Sequence, residues 1–463
     1  MENNMLKLKN TATKTLDEFK PINQDIVKVY SCGPTVYGFQ HIGNYASYIY
    51  WDLLTRVLKA NSFKVKRIMN LTDVGHLVSD EDEGEDKMEK GARKEGKTVW
   101  EIAEFYIDDF VKNMKKLNVI EPDKYCRATD YIEESKVMVQ KMIDNGFTYE
   151  TKDGIYFDTS KFKDYAKFAN LDLEGLKAGA RVNFSSEKRN ISDFAVWKFI
   201  QPDEKHAMRW DFLGRPGYPG WHLECSTIIH KELGEPIDIH TGGIDHIPIH
   251  HTNEIAQTFA TTEKNLANYW LHCNFITIDG EKISKSLGNI YTLDDLAERG
   301  FSPMDYKMWV LSGTYSGTRN FTFDDLSATK ARRLNWRNKI ALTYQFSSMD
   351  PEKNTIEFSE KTFKKELLEA VNDNLNSAKA FALVDQLPEK TPLSTWKYID
   401  KLFGLNLILD SGDITKEQKS LLKERASARD QKDYQKSDEL RSKLEKTGIT
   451  VKDTSTGQVW QYL

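Results

Sequence analysis

The chain has 463 residues, 39% of them hydrophobic and 29% charged, with a formal net charge of −5. That is apolar material for roughly three domains, with no 18-residue apolar run to span a bilayer. Four cysteines (Cys32, Cys126, Cys225, Cys273) are too few for a disulfide scaffold, so reduced thiols are expected. The N-terminus lacks the apolar segment of a secretory signal, which points to the cytoplasm. Given the net negative charge, binding a polyanion requires a local basic face.

Ile26–Tyr30 reads as a strand and Ser31–Asn44 as a loop. Tyr45, Ile49, Leu53 and Val57 then recur every fourth residue, the stripe of an amphipathic helix, and Val65–Met69 is the next strand. This order predicts a parallel sheet of Rossmann type. Six acids within 80–86 read as a solvated loop. Gly91–Thr98 fits the phosphate-loop pattern G-x-x-x-x-G-K-[ST] letter for letter. The charged residues Glu85–Lys90 before it cannot form the buried strand that loop needs, and the anions there repel phosphate, so the match is fortuitous. Residues 115–220 are a mixed region rich in lysine and aromatics, either an insertion or a separate lobe. A second strand–loop–helix unit follows, with a strand at Ile237–His240, a turn at Thr241–Gly243 and a helix over His250–Thr261. Phe275–Ile278 runs into Asp279–Gly280, a hairpin signal, and then into the polar loop Lys282–Ser286. From about 327 the chain reads as helical, with Lys330, Arg332, Arg333, Arg337 and Lys339 forming an acid-free basic run.

Three groups of residues suggest chemistry. His41-Ile42-Gly43-Asn44 falls at a helix start, where backbone N–H groups and the helix dipole favour phosphate. Gly43 permits close backbone approach, and His41 and Asn44 can donate hydrogen bonds; the alternative is a capping Asn44 beside a surface His41. Lys282-Ile-Ser-Lys285-Ser286 offers two lysines and two hydroxyls, suited to a mobile clamp on a pyrophosphate leaving group, or to an ordinary exposed loop. Six of the ten histidines (His222, His230, His240, His246, His250, His251) cluster around Cys225. His250 and Glu254 are four apart on a helix and can share one metal, and Cys225 supplies a thiolate that zinc favours. Spacing leaves the choice among the histidines open.

The two loop motifs, in this order, resemble the HIGH and KMSKS signatures of class I aminoacyl-tRNA synthetases. The stretches SCGPTVYGFQHIGN, AGARV with the KRN and DFAVWK after it, PGWHLECS, HTGGIDHIPIHHTNEIAQ, KISKSLGN and SDELRSKLEKTGITVKDTSTGQVW are similar to the cysteinyl-tRNA synthetase family, over residues 31–460. The resemblance implies an α/β, Rossmann-type parallel-sheet catalytic domain at 1–114 and 221–326, a connective insertion at 115–220, a helical tRNA-binding bundle at 327–410 and a small C-terminal anticodon-binding domain at 411–463. It implies one zinc ion on Cys32, Cys225, His250 and Glu254, with His246 and His251 as neighbours. It implies ATP, taken with Mg²⁺, at His41, Gly43, Asn44 and Lys285, with His41, Asn44, Lys282 and Lys285 catalytic. Thr72, Trp221, His240 and Asp245 match substrate-pocket positions.

The implied reaction is activation of L-cysteine to its adenylate with release of pyrophosphate, then transfer to the 3′-terminal ribose of tRNA-Cys. A thiol ionises more readily than an alcohol, so coordination to zinc separates cysteine from serine without editing. The basic helix is expected to follow the tRNA backbone, and Arg425, Arg429, Arg441 and Trp460 to meet anticodon bases. A monomer is expected. Asn44 replaces the usual last histidine; it can donate but cannot be cationic, so adenylation is expected to be weaker or compensated nearby. Ile283 replaces a common methionine, a tolerated exchange. Alternatives are a cysteine ligase acting on a small amine, which would lack the C-terminal domain, and a catalytically inactive tRNA-binding homologue, against which the complete ligand set and Lys285 argue.

Overall fold

The computed structural model describes residues 5–74, 96–171, 187–202, 206–284, 286–345, 358–454 and 457–463. The acidic run 80–86, residues 91–95 of the phosphate-loop match, the AGARV stretch and Lys285 lie outside them.

A short hairpin, β1 (Lys7–Asn10) and β2 (Thr15–Glu18), precedes β3 (Val27–Ser31), α1 (Ile42–Ala60), β4 (Val65–Leu71), α2 (Val99–Lys116) and β5 (Lys124–Arg127). Val27, Val29 and Tyr30 are all buried, the continuous apolar signature of a strand covered on both faces. The stripe Tyr45, Ile49, Leu53, Val57 is buried on α1, as its period predicts. Next come α3 (Ile132–Asp144) and an antiparallel sheet of β6 (Thr148–Glu150), β7 (Gly154–Phe157), β8 (Phe194–Phe199), β9 (Trp210–Phe212) and β10 (Arg215–Pro219), in the order β6-β7-β8-β10-β9. The chain then returns through α4 (Trp221–Glu232), β11 (Ile237–Gly243), α5 (Thr252–Thr262) and β12 (Ala267–Cys273). The main sheet is five-stranded and parallel, in the order β12-β11-β3-β4-β5. It takes its edge strand β5 from within the 115–220 region.

One turn expectation is corrected. Thr241–Gly243 stays in β11, pairing Gly242 with His272 and Gly243 with Cys273. A Cβ on Gly242 would lie 2.6 Å from His251 Cε1 and 2.8 Å from His246 Nδ1. This glycine clears space for imidazole rings, and the chain does not turn there.

The Asp279–Gly280 hairpin forms between β13 (Ile276–Ile278) and β14 (Glu281–Lys282). After it come α6 (Leu293–Glu298), α7 (Pro303–Leu311), β15 (Arg319–Phe321) and a helical region of α8 (Phe323–Leu342), α9 (Glu360–Asn372), α10 (Ser377–Asp385) and α11 (Leu393–Phe403). The chain ends in α12 (Lys416–Asp430), α13 (Tyr434–Lys446) and the hairpin β16 (Ile449–Thr454) with β17 (Gly457–Tyr462). Among the described residues no helix is long and apolar enough to cross a membrane.

The basic run on α8 has an internal role. Arg333 is buried and pairs with Asp410 and, at 3.5 Å, with Asp305. Arg332 binds Asp385, and Arg337 binds the Asp410 carbonyl with its guanidinium 4.6 Å from the Tyr462 ring. Lys339 reaches the carbonyls of Asp385 and Leu387, and Lys330 that of Gly300. These cations tie α8 to neighbouring segments, and Arg333 is buried and so absent from any surface face.

Two of the four C-terminal expectations, Arg425 and Trp460, are corrected by their burial. Arg425 is fully buried and fixed by Asp453 and Gln458 at 2.9 Å. Trp460 is a core residue and Arg441 binds the Val451 carbonyl. Arg429 pairs with Asp453 at 3.2 Å but keeps its side chain 40% exposed.

Candidate metal centre and anion cleft

Strand order reverses at β3, which has β4 on one side and β11 on the other. A crevice opens at the carboxyl ends of strands at such a point. Cys32 directly follows β3, Thr72 directly follows β4, and His240 lies on β11. Cys225 projects from α4. A π-helical turn, Ile247–His251, leads into α5 and sets His250 one turn ahead of Glu254 on the same face.

The donor atoms of Cys32, Cys225, His250 and Glu254 all lie within 4.8 Å of one another, and all four residues are buried. His250 Nε2 is 2.8 Å from Glu254 Oε1, while its Nδ1 is 3.0 Å from His222 Nδ1. Nε2 is therefore the nitrogen turned toward the donor set. Glu254 Oε2 is 2.7 Å from His240 Nε2. Cys32 Sγ lies 3.3 Å from His251 Nε2, His251 Nδ1 lies 2.7 Å from His272 Nε2, and His272 Nδ1 lies 2.7 Å from Thr11 Oγ1. Cys32, His250 and Glu254 thus each touch a further polar side chain that orients it, the usual construction around a ligated metal.

A second set, Cys32, His240, His251 and Glu254, is equally compact. It contains one thiol where the first has two, and thiols are what a soft cation selects.

Burial pushes both thiols up, most strongly Cys225. Burial alone would raise Glu254, yet His240 and His250 hold it well below the usual carboxylate range. Burial would lower His250, yet Glu254 and Cys225 push it up to about 10. Burial and the neighbouring His250 push His246 down to about 4. The cluster holds its thiols protonated until a cation displaces the protons. Two buried thiols, an imidazole and a carboxylate at this spacing suit a tetrahedral zinc ion.

Trp221 opens α4, with its ring centroid 4.6 Å from that of His250. Asp245 is exposed at the crevice; its Oδ1 would be 2.2 Å from a Cβ on Gly243. His240 is fully buried and bonded to Glu254, so it supports the donor set from below. Thr72 is buried and donates to Glu224 Oε2 at 2.8 Å.

At the start of α1, Asn44 Oδ1 accepts from His41 N at 3.1 Å. Asn44 is thus a cap, and only its amide nitrogen remains to meet an anion. His41 Nδ1 is buried with no hydrogen-bond partner among the described residues. Burial lowers the His41 pKa, which keeps the ring neutral. A Cβ on Gly43 would lie 2.7 Å from Ile283 Cδ1 and 2.9 Å from His41 Cε1. The two loops, far apart in sequence, therefore meet at Gly43. Lys282 is exposed beside this contact, and Asn289 braces the loop by accepting from Ser284 N at 2.9 Å and donating to Lys282 O at 3.1 Å. Sequence reasoning missed His222, Asn289, Asn70, Glu224 and His272. Only His222 carried a signal, its place in the histidine cluster.

A family model described as tRNA synthetases class I (C) catalytic domain matches residues 18–331, and one described as the Cysteinyl-tRNA ligase anticodon binding domain matches residues 411–460. Cysteine–tRNA ligase of Treponema denticola is 38% identical over 491 residues, spanning 99% of this chain and 100% of that protein. Cysteine–tRNA ligase 1 of Burkholderia lata is 41% identical over 462 residues, spanning 98% and 96%. Among solved structures, Mycobacterium tuberculosis methionyl-tRNA synthetase in complex with methionyl-adenylate aligns with a TM-score of 0.60 at 14% identity, covering 82% of this chain and 88% of that one. That likeness is one of fold alone.

Proposed function

The chain belongs to the cysteinyl-tRNA ligase family of class I tRNA synthetases, and on that premise we propose how its residues divide the joining of cysteine to tRNA. It is an aminoacyl-tRNA synthetase that consumes ATP, acting on cysteine in the cytoplasm as a single copy. Its acceptor is the 3′-terminal ribose of tRNA-Cys. The C-terminal module, matched as an anticodon-binding domain, favours tRNA over a small amine as acceptor.

Cys32, Cys225, His250 and Glu254 would hold one zinc ion. Zinc bound there supplies a soft Lewis acid that prefers the thiolate of cysteine to the hydroxyl of serine. Trp221, Thr72 and Asp245 surround the amino acid, while His240 holds Glu254 in place. In the first step a carboxylate oxygen of cysteine attacks the α-phosphorus of ATP, and pyrophosphate leaves with its Mg²⁺. No protein nucleophile takes part, so position and electrostatics carry the rate. The neutral His41 ring and the amide nitrogen of Asn44 donate to phosphate oxygens at the positive end of α1. Lys282 and Lys285 offset charge growing on the leaving group. In the second step the ribose hydroxyl takes the cysteinyl group and AMP departs.

The buried two-thiol donor set at the strand-order reversal carries this reading. Amino-acid-dependent ATP–pyrophosphate exchange tests it. Cysteine alone is expected to support exchange. Zinc-loaded protein that exchanges with no amino acid would refute it.

Gly43 offers a sharper check on the cleft. Gly43→Ala forces the Ile283 and His41 side chains apart, because both lie under 3 Å from the new Cβ. The exchange kcat is expected to fall by about ten- to a hundredfold, the range for a displacement near 1 Å, with thermal stability little changed. An unaltered kcat would mean that the Ile283 contact is absent during turnover.

A further inference from the structure

Cys32 and Cys225 come from different elements, and a chain of buried polar groups joins their immediate neighbours. Gly33 N donates to Asn70 Oδ1 at 2.7 Å, Asn70 Nδ2 donates to Thr72 Oγ1 at 3.0 Å, and the Thr72 hydroxyl donates to Glu224 Oε2 at 2.8 Å. The chain starts one residue after Cys32 and ends one residue before Cys225. Asn70, Thr72 and Glu224 are 3%, 2% and 2% exposed, so water does not replace these bonds.

The backbone of Thr72 adds to the grip: its N–H donates to Pro34 O at 3.0 Å and its carbonyl accepts from Val36 N at 3.1 Å. Thr72 therefore holds the Cys32 loop by its main chain and α4 by its side chain. The approach depends on a missing side chain, since a Cβ on Gly33 would sit 1.8 Å from Asn70 O. Apolar residues would fill this space at less cost than a carboxylate and an amide. What the polar chain supplies is a fixed separation between two segments that each carry a thiol.

We propose that Asn70 and Glu224 are positioning residues for the thiol pair, acting through Thr72; the proposal rests on the reading that Cys32 and Cys225 bind zinc. In this role both act on the two thiol-bearing segments through the Thr72 side chain. They set where the two sulfurs stand relative to His250 and Glu254, and hence how well the four donors fit one ion.

The test uses the full-length protein with Asn70→Ala, Glu224→Ala and Glu224→Gln, and Cys225→Ser as a control. Zinc affinity is measured by competition with a chromogenic chelator, and cobalt-loaded protein gives the thiolate-to-metal and d–d absorption bands. Asn70→Ala and Glu224→Ala are expected to weaken zinc binding by about 10- to 100-fold and to shift the cobalt bands. They are also expected to raise the KM for cysteine while that for ATP is unchanged. Glu224→Gln keeps an oxygen that accepts from Thr72, and is expected to restore affinity and spectrum. If Glu224→Ala does not fold, Thr72→Val, similar in shape, cuts both side-chain bonds and carries the same expectation.

Folded alanine variants with the parent's affinity and cobalt spectrum overturn the proposal. So does a Glu224→Gln as defective as Glu224→Ala, because charge and not the bond would then matter. Parent-like zinc affinity in Cys225→Ser overturns the zinc reading beneath it.

Discussion

Replacing Cys225 by serine is expected to strip bound zinc and to lower cysteine-dependent ATP–pyrophosphate exchange by at least about a hundredfold, more than the loss of an outer-sphere partner costs. The serine hydroxyl stays protonated at neutral pH and is a hard donor, so it replaces the thiolate in size but not in chemistry. All four donor residues are buried, so the hydroxyl would face the ion in place of the thiolate. The overlapping set of Cys32, His240, His251 and Glu254 makes the result informative beyond activity. Zinc lost together with exchange means that the two-thiol set is the binding site. Zinc retained at one per chain but bound more weakly than by the parent, with exchange lost, means that the second set can hold the ion but cannot present it to substrate. Zinc and exchange both near the parent's would remove the assignment of Cys225. Affinity for tRNA is expected to persist, since Cys225 lies in the catalytic region and the anticodon-binding module matches residues 411–460.

What could be read from the sequence followed from how local its physics is. The β3–α1–β4 unit was legible because burial on both faces of a strand and on one face of a helix leaves a period in the residues. The Asp279–Gly280 hairpin was legible because its turn demands positive φ, which both residues adopt. Thr241–Gly243 was misread because two glycines look like a turn, whereas one of them is small to admit histidine rings from a later segment. Lys124–Arg127 gave no strand signal: four residues with charged ends look like a loop until β4 pairs with them.

The site followed the same division. Residue types pointed to metal, spacing left the histidine open and the resemblance implied His250, which the π-helical turn sets one turn ahead of Glu254. Asn70 and Glu224 left no trace, since a lone polar residue in a strand or helix is uninformative until its partner is known. Basic residues misled for a related reason. Composition counts the charges of Arg333 and Arg425 without showing that each already has a carboxylate partner within the chain.

Asp52→Ala is expected to be the most destabilising single change near the cleft, by about 3–5 kcal/mol, because it leaves buried cations without their anion. Asp52 lies on α1, fully buried, and accepts from Lys307 Nζ at 2.7 Å, Arg56 Nε at 2.8 Å and Ile120 N at 2.9 Å. Arg56 goes on to the Lys401 carbonyl on α11 at 3.0 Å, and Lys307 belongs to α7. One carboxylate therefore joins the helix that starts at His41, a helix beyond the Lys282 loop, and the helical region after it. Burial alone would raise the Asp52 pKa, but Lys307 and Arg56 override it and hold it low. A lowered folded pKa means that the contribution is complete above the ordinary carboxylate value, about 4, and is lost as pH falls through the folded value. The deficit of Asp52→Ala should thus be full at neutral pH and narrow in acid. The double variant Asp52→Leu with Lys307→Met replaces the pair by apolar side chains and is expected to recover most of the loss, since uncompensated charge, and not a missing attraction, causes it. Thermal melting of parent, single and double variants, combined as a mutant cycle, measures this directly. A double variant no better than Asp52→Ala would show that Arg56 and the Ile120 amide, still buried without their acceptor, carry the penalty.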